Sequence, residues 1–139
     1  MSDTKNARLV WQGEGLNFLA TLGSGYQIQF GSPAGANGAS PMEIMLASVA
    51  GCTAMDVVDI LRKMRQPVRG IELEISGLRA DDHPKVYTRV DLTYIIQGEG
   101  IDSKSVERAI ELSQTRYCSA SIIFKRAGVD VQTSYRIEP

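Results

Sequence analysis

Between Ile44 and Met55 the chain carries no charged residue. From Asp56 onward the pattern becomes two-sided: Val57, Ile60, Leu61 and Met64 share one side, while Asp59, Arg62, Lys63 and Arg65 share the other. Ser40 offers an N-cap, Pro41 suits the first helical position, and Glu43 completes a capping box. Pro67 stops the run. The pattern predicts a long helix from Ser40 to Gln66, with Cys52 inside its uncharged half. That half is too short to span a bilayer, so it reads as a helix surrounded by protein.

Residues 8–30 read as short strands, with alternation at Val10/Gln12 and Tyr26/Ile28/Phe30 and turns at Gly13, Gly15, Gly23 and Gly25. The small-residue segment 31–40 reads as a flexible connection into the helix. Beyond the helix, Val68, Ile71, Leu73 and Ile75 alternate, as do Val86, Thr88, Val90, Leu92 and Tyr94, around a DDHP turn at 81–84. This predicts a long antiparallel hairpin with one apolar face. Asp102 or Ser103 caps a second helix reaching Tyr117, with Val106, Ala109, Ile110 and Ser113/Tyr117 at helical spacing. Cys118 separates it from a short helix, SASIIFKRA, which Gly128 closes before a last strand at 129–137.

The expected fold is α+β, one domain over 1–139: N-terminal strands and loop (1–40), central helix (41–66), then hairpin, helices and last strand (67–139). An antiparallel sheet covers the helices on one face. A single sheet covers only one side of a helix that is apolar all round, so a second copy of the chain is expected on the other, with Ile44–Met55 near the core of a homodimer.

Composition narrows the function. The 139 residues carry 15 Lys+Arg against 16 Asp+Glu, both scattered, a net charge of −1 without a basic stripe for nucleic acid. The start, MSDTKNARLVW, lacks signal-peptide features, and no segment looks long and apolar enough to cross a membrane. The expected location is the cytoplasm, where Cys52 and Cys118 are kept reduced and form at most a transient bond.

The two cysteines stand 66 residues apart, so this is no C-x-x-C redox motif. Each is either a small buried hydrophobe or a sheltered reactive thiol. Cys118 opens a helix, which favours its thiolate, and Arg116 lies two residues before it. Asp56, one turn after Cys52, opposes ionisation there. Glu43 is accounted for as a cap and lies nearly opposite Cys52 on the helix. His83 reads as a surface turn residue. One histidine and two distant cysteines fall short of zinc-ligand spacing, and the glycines of 31–38 lack a phosphate-loop pattern, so no metal or cofactor is expected.

Three segments, PMEIMLASVAGCTAMDVVDIL, HPKVYTRVDLTYIIQGEGID and VERAIELSQTRYCSASIIF, occur in an order that resembles the OsmC/Ohr family (osmotically inducible protein C and organic hydroperoxide resistance proteins), in its OsmC-like branch. The resemblance covers nearly the whole chain. It implies an intertwined homodimer and a cysteine-dependent peroxidase that reduces organic hydroperoxides and is recycled by a dithiol reductant. It implies that Cys52 is the peroxidatic thiol, oxidised to a sulfenic acid, and Cys118 the resolving thiol that condenses with it to a disulfide. In Ohr-type members an arginine of an N-terminal loop, held by the glutamate at the Glu43 position, activates the thiolate. The corresponding stretch here, GEGLNFLATLGSGYQIQFGS, has no arginine, which leaves Arg8, Arg89 and Arg116 as substitutes and leaves Glu43 either an orienting carboxylate or only a cap. The alternative is a redox-sensing or apolar-ligand-binding module with little turnover. A weaker third reading is a hydrolase pairing Cys52 with His83, which requires the two in contact.

Overall fold

The computed structural model describes residues 3–32 and 37–139. The expected flexible connection at 31–40 therefore lies partly outside the described residues. The described residues form two compact units, those up to 45 and those from 46 to 139, with the division inside the first turns of the central helix.

The first unit is a three-stranded antiparallel sheet, β1 (Ala7–Trp11), β2 (Phe18–Leu22) and β3 (Gln27–Phe30), in that order. Turns at Gly13–Gly15 and at Gly25, each glycine at positive φ, reverse the chain where the sequence predicted hairpins. β1 is exposed along its whole length: Leu9, Val10 and Trp11 are each at least half exposed. The central helix α1 (Pro41–Lys63) begins in this unit. Its capping box forms as expected: Ser40 Oγ accepts from the Glu43 amide at 3.2 Å, and Glu43 Oε2 accepts from the Ser40 amide at 3.0 Å.

In the second unit, α1 buries one stripe, Val49, Thr53, Val57 and Leu61, at the spacing of one helix face. The helix stops before Pro67 in a Schellman arrangement. Gln66 N–H donates to Leu61 O and Arg65 N–H to Arg62 O, with Arg65 in the left-handed region at φ 59°. One sequence expectation needs correction here. At 23 residues α1 is, by length and composition, long and apolar enough to cross a membrane, because such a stretch tolerates the two aspartates that ended the uncharged count. Its Thr53 hydroxyl is nevertheless bonded within the protein, to Tyr94 of the sheet.

That sheet joins β4 (Gly70–Arg79), β5 (Tyr87–Gln97) and β6 (Asp130–Glu138), with β5 in the middle. β4 and β5 pair antiparallel as expected, whereas β6 pairs parallel to β5. A parallel neighbour needs a crossover, and the two helices between β5 and β6 supply it. A register shift at Leu78/Arg79 changes the phase of the hairpin near its tip. Val86 and Thr88, expected on the apolar face, are therefore exposed, and Tyr87 is buried against Phe124, ring centroids 5.8 Å apart.

α2 (Ser103–Leu112), capped by Asp102, buries Val106, Ala109 and Ile110. It does not run on as a regular helix to Tyr117. Residues Ser113–Tyr117 form a wide π turn closed by Cys118 N–H to Ser113 O at 2.7 Å. The wider turn sends both Ser113 and Gln114 inward and leaves Tyr117 half exposed, against the α-helical expectation. α3 (Ser119–Arg126) follows directly.

Candidate thiol site

The site is built where α1, β5, the π turn and the start of α3 meet in the second unit. Cys52 lies half-buried on α1 and Cys118 is fully buried at the N-cap of α3. The fold closes their 66-residue separation: the two sulfurs and a carboxylate oxygen of Asp56 all lie within 4.8 Å of one another. Cys52 and Asp56 share a face because they stand four residues apart on one helix.

A buried polar network holds this arrangement. Ser113 Oγ donates to Asp56 Oδ2 at 2.9 Å. Having spent its proton there, Ser113 accepts from the Thr53 hydroxyl at 2.7 Å, and Thr53 in turn accepts from Tyr94 Oη at 2.7 Å. The three hydroxyls thus donate in one direction, toward the Asp56 carboxylate. Gln114 Nε2 braces the array, lying 3.2 Å from Thr53 Oγ1, 3.1 Å from Tyr94 Oη and 3.2 Å from Ser121 Oγ, while its own Oε1 is buried without a protein partner. On the far side Cys118 Sγ donates to Ser121 Oγ at 3.2 Å and accepts from the Ser121 amide at 3.4 Å.

Burial pushes the Cys118 thiol above its ordinary value; the Ser121 hydroxyl and amide pull it down, and neighbouring Cys52 pushes it up again. The expectation that a helix start favours the Cys118 thiolate is thus outweighed by desolvation. Burial also raises the Tyr94 phenol, against the pull of its hydrogen bonds with Thr53 and Gln114. The Lys125 ammonium donates to Gln114 O at 2.8 Å; desolvation lowers its pKa, with the Cys118 charge opposing that shift.

Other sequence candidates stand elsewhere. Glu43 is the helix cap. Arg89 is bound to Asp91 at 2.9 Å and faces Asp130 at 3.7 Å, and Arg116 lies over the Tyr117 ring, 5.5 Å from its centroid. Arg8 sits on exposed β1 of the first unit. His83 occupies the exposed bend between β4 and β5 and makes no hydrogen bond to either thiol, so the hydrolase reading finds no support.

Sequence reasoning missed Thr53, Tyr94, Ser113, Gln114, Ser121 and Lys125 as parts of this site. One signal was present: Thr53 interrupts an otherwise apolar stripe of α1, and Ser113 continues that of α2. A polar residue in a core row implies a buried partner.

Comparison with known proteins identifies the family of the chain. The family model described as OsmC-like protein matches residues 33–134. Protein YhfA of Escherichia coli K12 is 37% identical over 131 residues, covering 94% of this chain and 96% of that protein. A crystal structure of a hypothetical protein from Aquifex aeolicus superposes with a TM-score of 0.88 at 31% identity, covering 99% and 98% of the two chains. A Legionella pneumophila protein described as an organic hydroperoxide resistance protein OsmC shares the fold, with a TM-score of 0.70 at 16% identity and 96% coverage of each chain. A match across most of the chain, in sequence and in fold, settles the family: this chain belongs to the OsmC-like proteins.

Proposed function

We propose that this protein is a thiol peroxidase that reduces organic hydroperoxides to alcohols, with Cys52 as peroxidatic and Cys118 as resolving thiol. The observation that carries the reading is the approach of the two sulfurs, within 4.8 Å, from elements 66 residues apart. The Cys52 thiolate attacks one oxygen of the peroxide, the O–O bond breaks, and the alkoxide leaves as the alcohol after taking up a proton. Cys52 is then a sulfenic acid. The Cys118 sulfur attacks it, a disulfide forms, and the hydroxyl leaves as water with the Cys118 proton. An external dithiol reopens the bond and is itself oxidised, which suits a reducing compartment such as the cytoplasm. Cys52 is the half-buried partner and meets substrate first; Cys118 is sheltered until the sulfenic acid exists.

The chain works on this reading as a single OsmC-like domain in a homodimer. Exposed apolar side chains in both units, Trp11 and Leu9 in the first and Met55 and Ile123 in the second, supply surface for the partner. Glu43 serves as the helix cap, and as an orienting carboxylate only for an arginine brought to it.

A second reading, a redox-sensing or apolar-ligand-binding module with slow turnover, draws on the engagement of Arg89 and Arg116 away from the thiols. One experiment separates the two. Fully reduced protein is mixed with one equivalent of cumene hydroperoxide and its intact mass followed. Loss of two hydrogens within seconds, absent in Cys52→Ser and replaced by oxygen addition in Cys118→Ser, is the expected result. No mass change over minutes would overturn the peroxidase and favour the module.

A further inference from the structure

We infer that Cys52, Cys118 and Asp56 together form a binding site for a thiophilic divalent cation of the Zn2+ class, open only while both thiols are reduced. Three donor atoms of a kind zinc prefers, two sulfurs and one carboxylate oxygen, lie within 4.8 Å of one another. In a tetrahedral site with metal–sulfur bonds of about 2.3 Å, neighbouring donors stand about 3.8 Å apart. The donors therefore stand within about 1 Å of that spacing. Sequence spacing gives no sign of such a site, because only the folded chain brings Cys118 to the helix that holds the other two donors.

Charge points the same way. Asp56 terminates the donor array from Tyr94 through Thr53 and Ser113 and stands beside both sulfurs. Three anionic donors held this close would repel one another, and Lys125, which feels the charge of Cys118, already donates to Gln114 O. A divalent cation removes that repulsion.

The surroundings suit metal ligands as well. Ser113 orients the carboxylate, and the Ser121 amide already donates to the Cys118 sulfur, with a hydroxyl able to turn its proton toward a thiolate. Access is present too. A groove of about 330 Å³ is lined in part by Asp56, Leu112 and Tyr117. Water fills the fourth position. Because metal and disulfide use the same two sulfurs, occupancy and oxidation exclude each other, so the cation shields the thiols from peroxide.

The test uses reduced full-length protein, anaerobically titrated with Co2+ and then displaced with Zn2+. Expected is one cobalt per chain, with thiolate-to-cobalt charge-transfer absorption and the strong visible bands of tetrahedral coordination. Both signals should vanish in Cys52→Ser, in Cys118→Ser and in the disulfide form. Asp56→Asn, near-identical in shape, should weaken binding at least about tenfold and Ser113→Ala about tenfold, with both thiols still titratable. Absence of charge transfer at millimolar cobalt would overturn the site, as would Asp56→Asn binding as tightly as the parent, which would mean mere dithiol capture. No peroxide is used, so failure here leaves the peroxidase reading intact, and failure of that reading leaves this one testable.

Discussion

Cys52 and Cys118 lie within a few ångströms of each other, yet the two sides of the pair are built differently. Cys118 is fully buried and has its hydrogen bonds supplied by Ser121, behind which stand Gln114, Tyr94, Thr53 and Ser113. Cys52 occupies a half-buried helix face three residues before Met55, which is 75% exposed. The difference teaches a division of labour. A buried polar wall fixes one sulfur and the adjacent carboxylate, while the other sulfur remains approachable.

The largest effect to look for is in thiol reactivity. Alkylation of reduced protein with iodoacetamide should label Cys52 first and Cys118 slower by about a hundredfold, because burial withholds Cys118 and raises its pKa. Equal rates by peptide mapping would break the comparison.

Next comes the wall itself. Thr53→Val keeps the shape but removes a hydroxyl that bonds Tyr94, Ser113 and Gln114. It should lower stability by about 1–3 kcal/mol in urea unfolding, and it should disorder Asp56 as well. A neutral result would show that the array contributes no order to the site.

A smaller effect is alkaline. The folded Cys118 thiol holds its proton more tightly than the unfolded one, since its pKa is raised. Its contribution is fully present below the unfolded value of about 8.5 and is lost as pH rises through the folded value. Urea midpoints of reduced protein should fall across that alkaline window, and less steeply in Cys118→Ala, which has no thiol to ionise. Parallel curves would place the titration elsewhere, Tyr94 being the next raised group.

The smallest lies at the end of α1. Arg65 adopts φ 59° at the Schellman position, where a side chain is unfavourable. Arg65→Gly should stabilise the protein by about 0.5–1 kcal/mol without changing thiol labelling.

Sequence by itself determined the elements. Capping at Ser40 and Glu43, the stop before Pro67, the burial of Val57 and Leu61, and the Asp102 cap follow from local rules of spacing and hydrogen bonding. It also presented both cysteines as candidates, and the resemblance carried by three segments gave them roles. Tertiary structure alone decided the parallel pairing of β6, the register shift that turns Tyr87 inward, and the π turn that buries Ser113 beside Gln114. It also decided the company Cys118 keeps. The physical reason is range: helix caps and periodicity are settled within a few residues. The meeting of Cys52 and Asp56 with Cys118 depends on the β4–β5 hairpin and α2 returning the chain to α1 after 66 residues, and burial there outweighs the helix-start effect that sequence suggested.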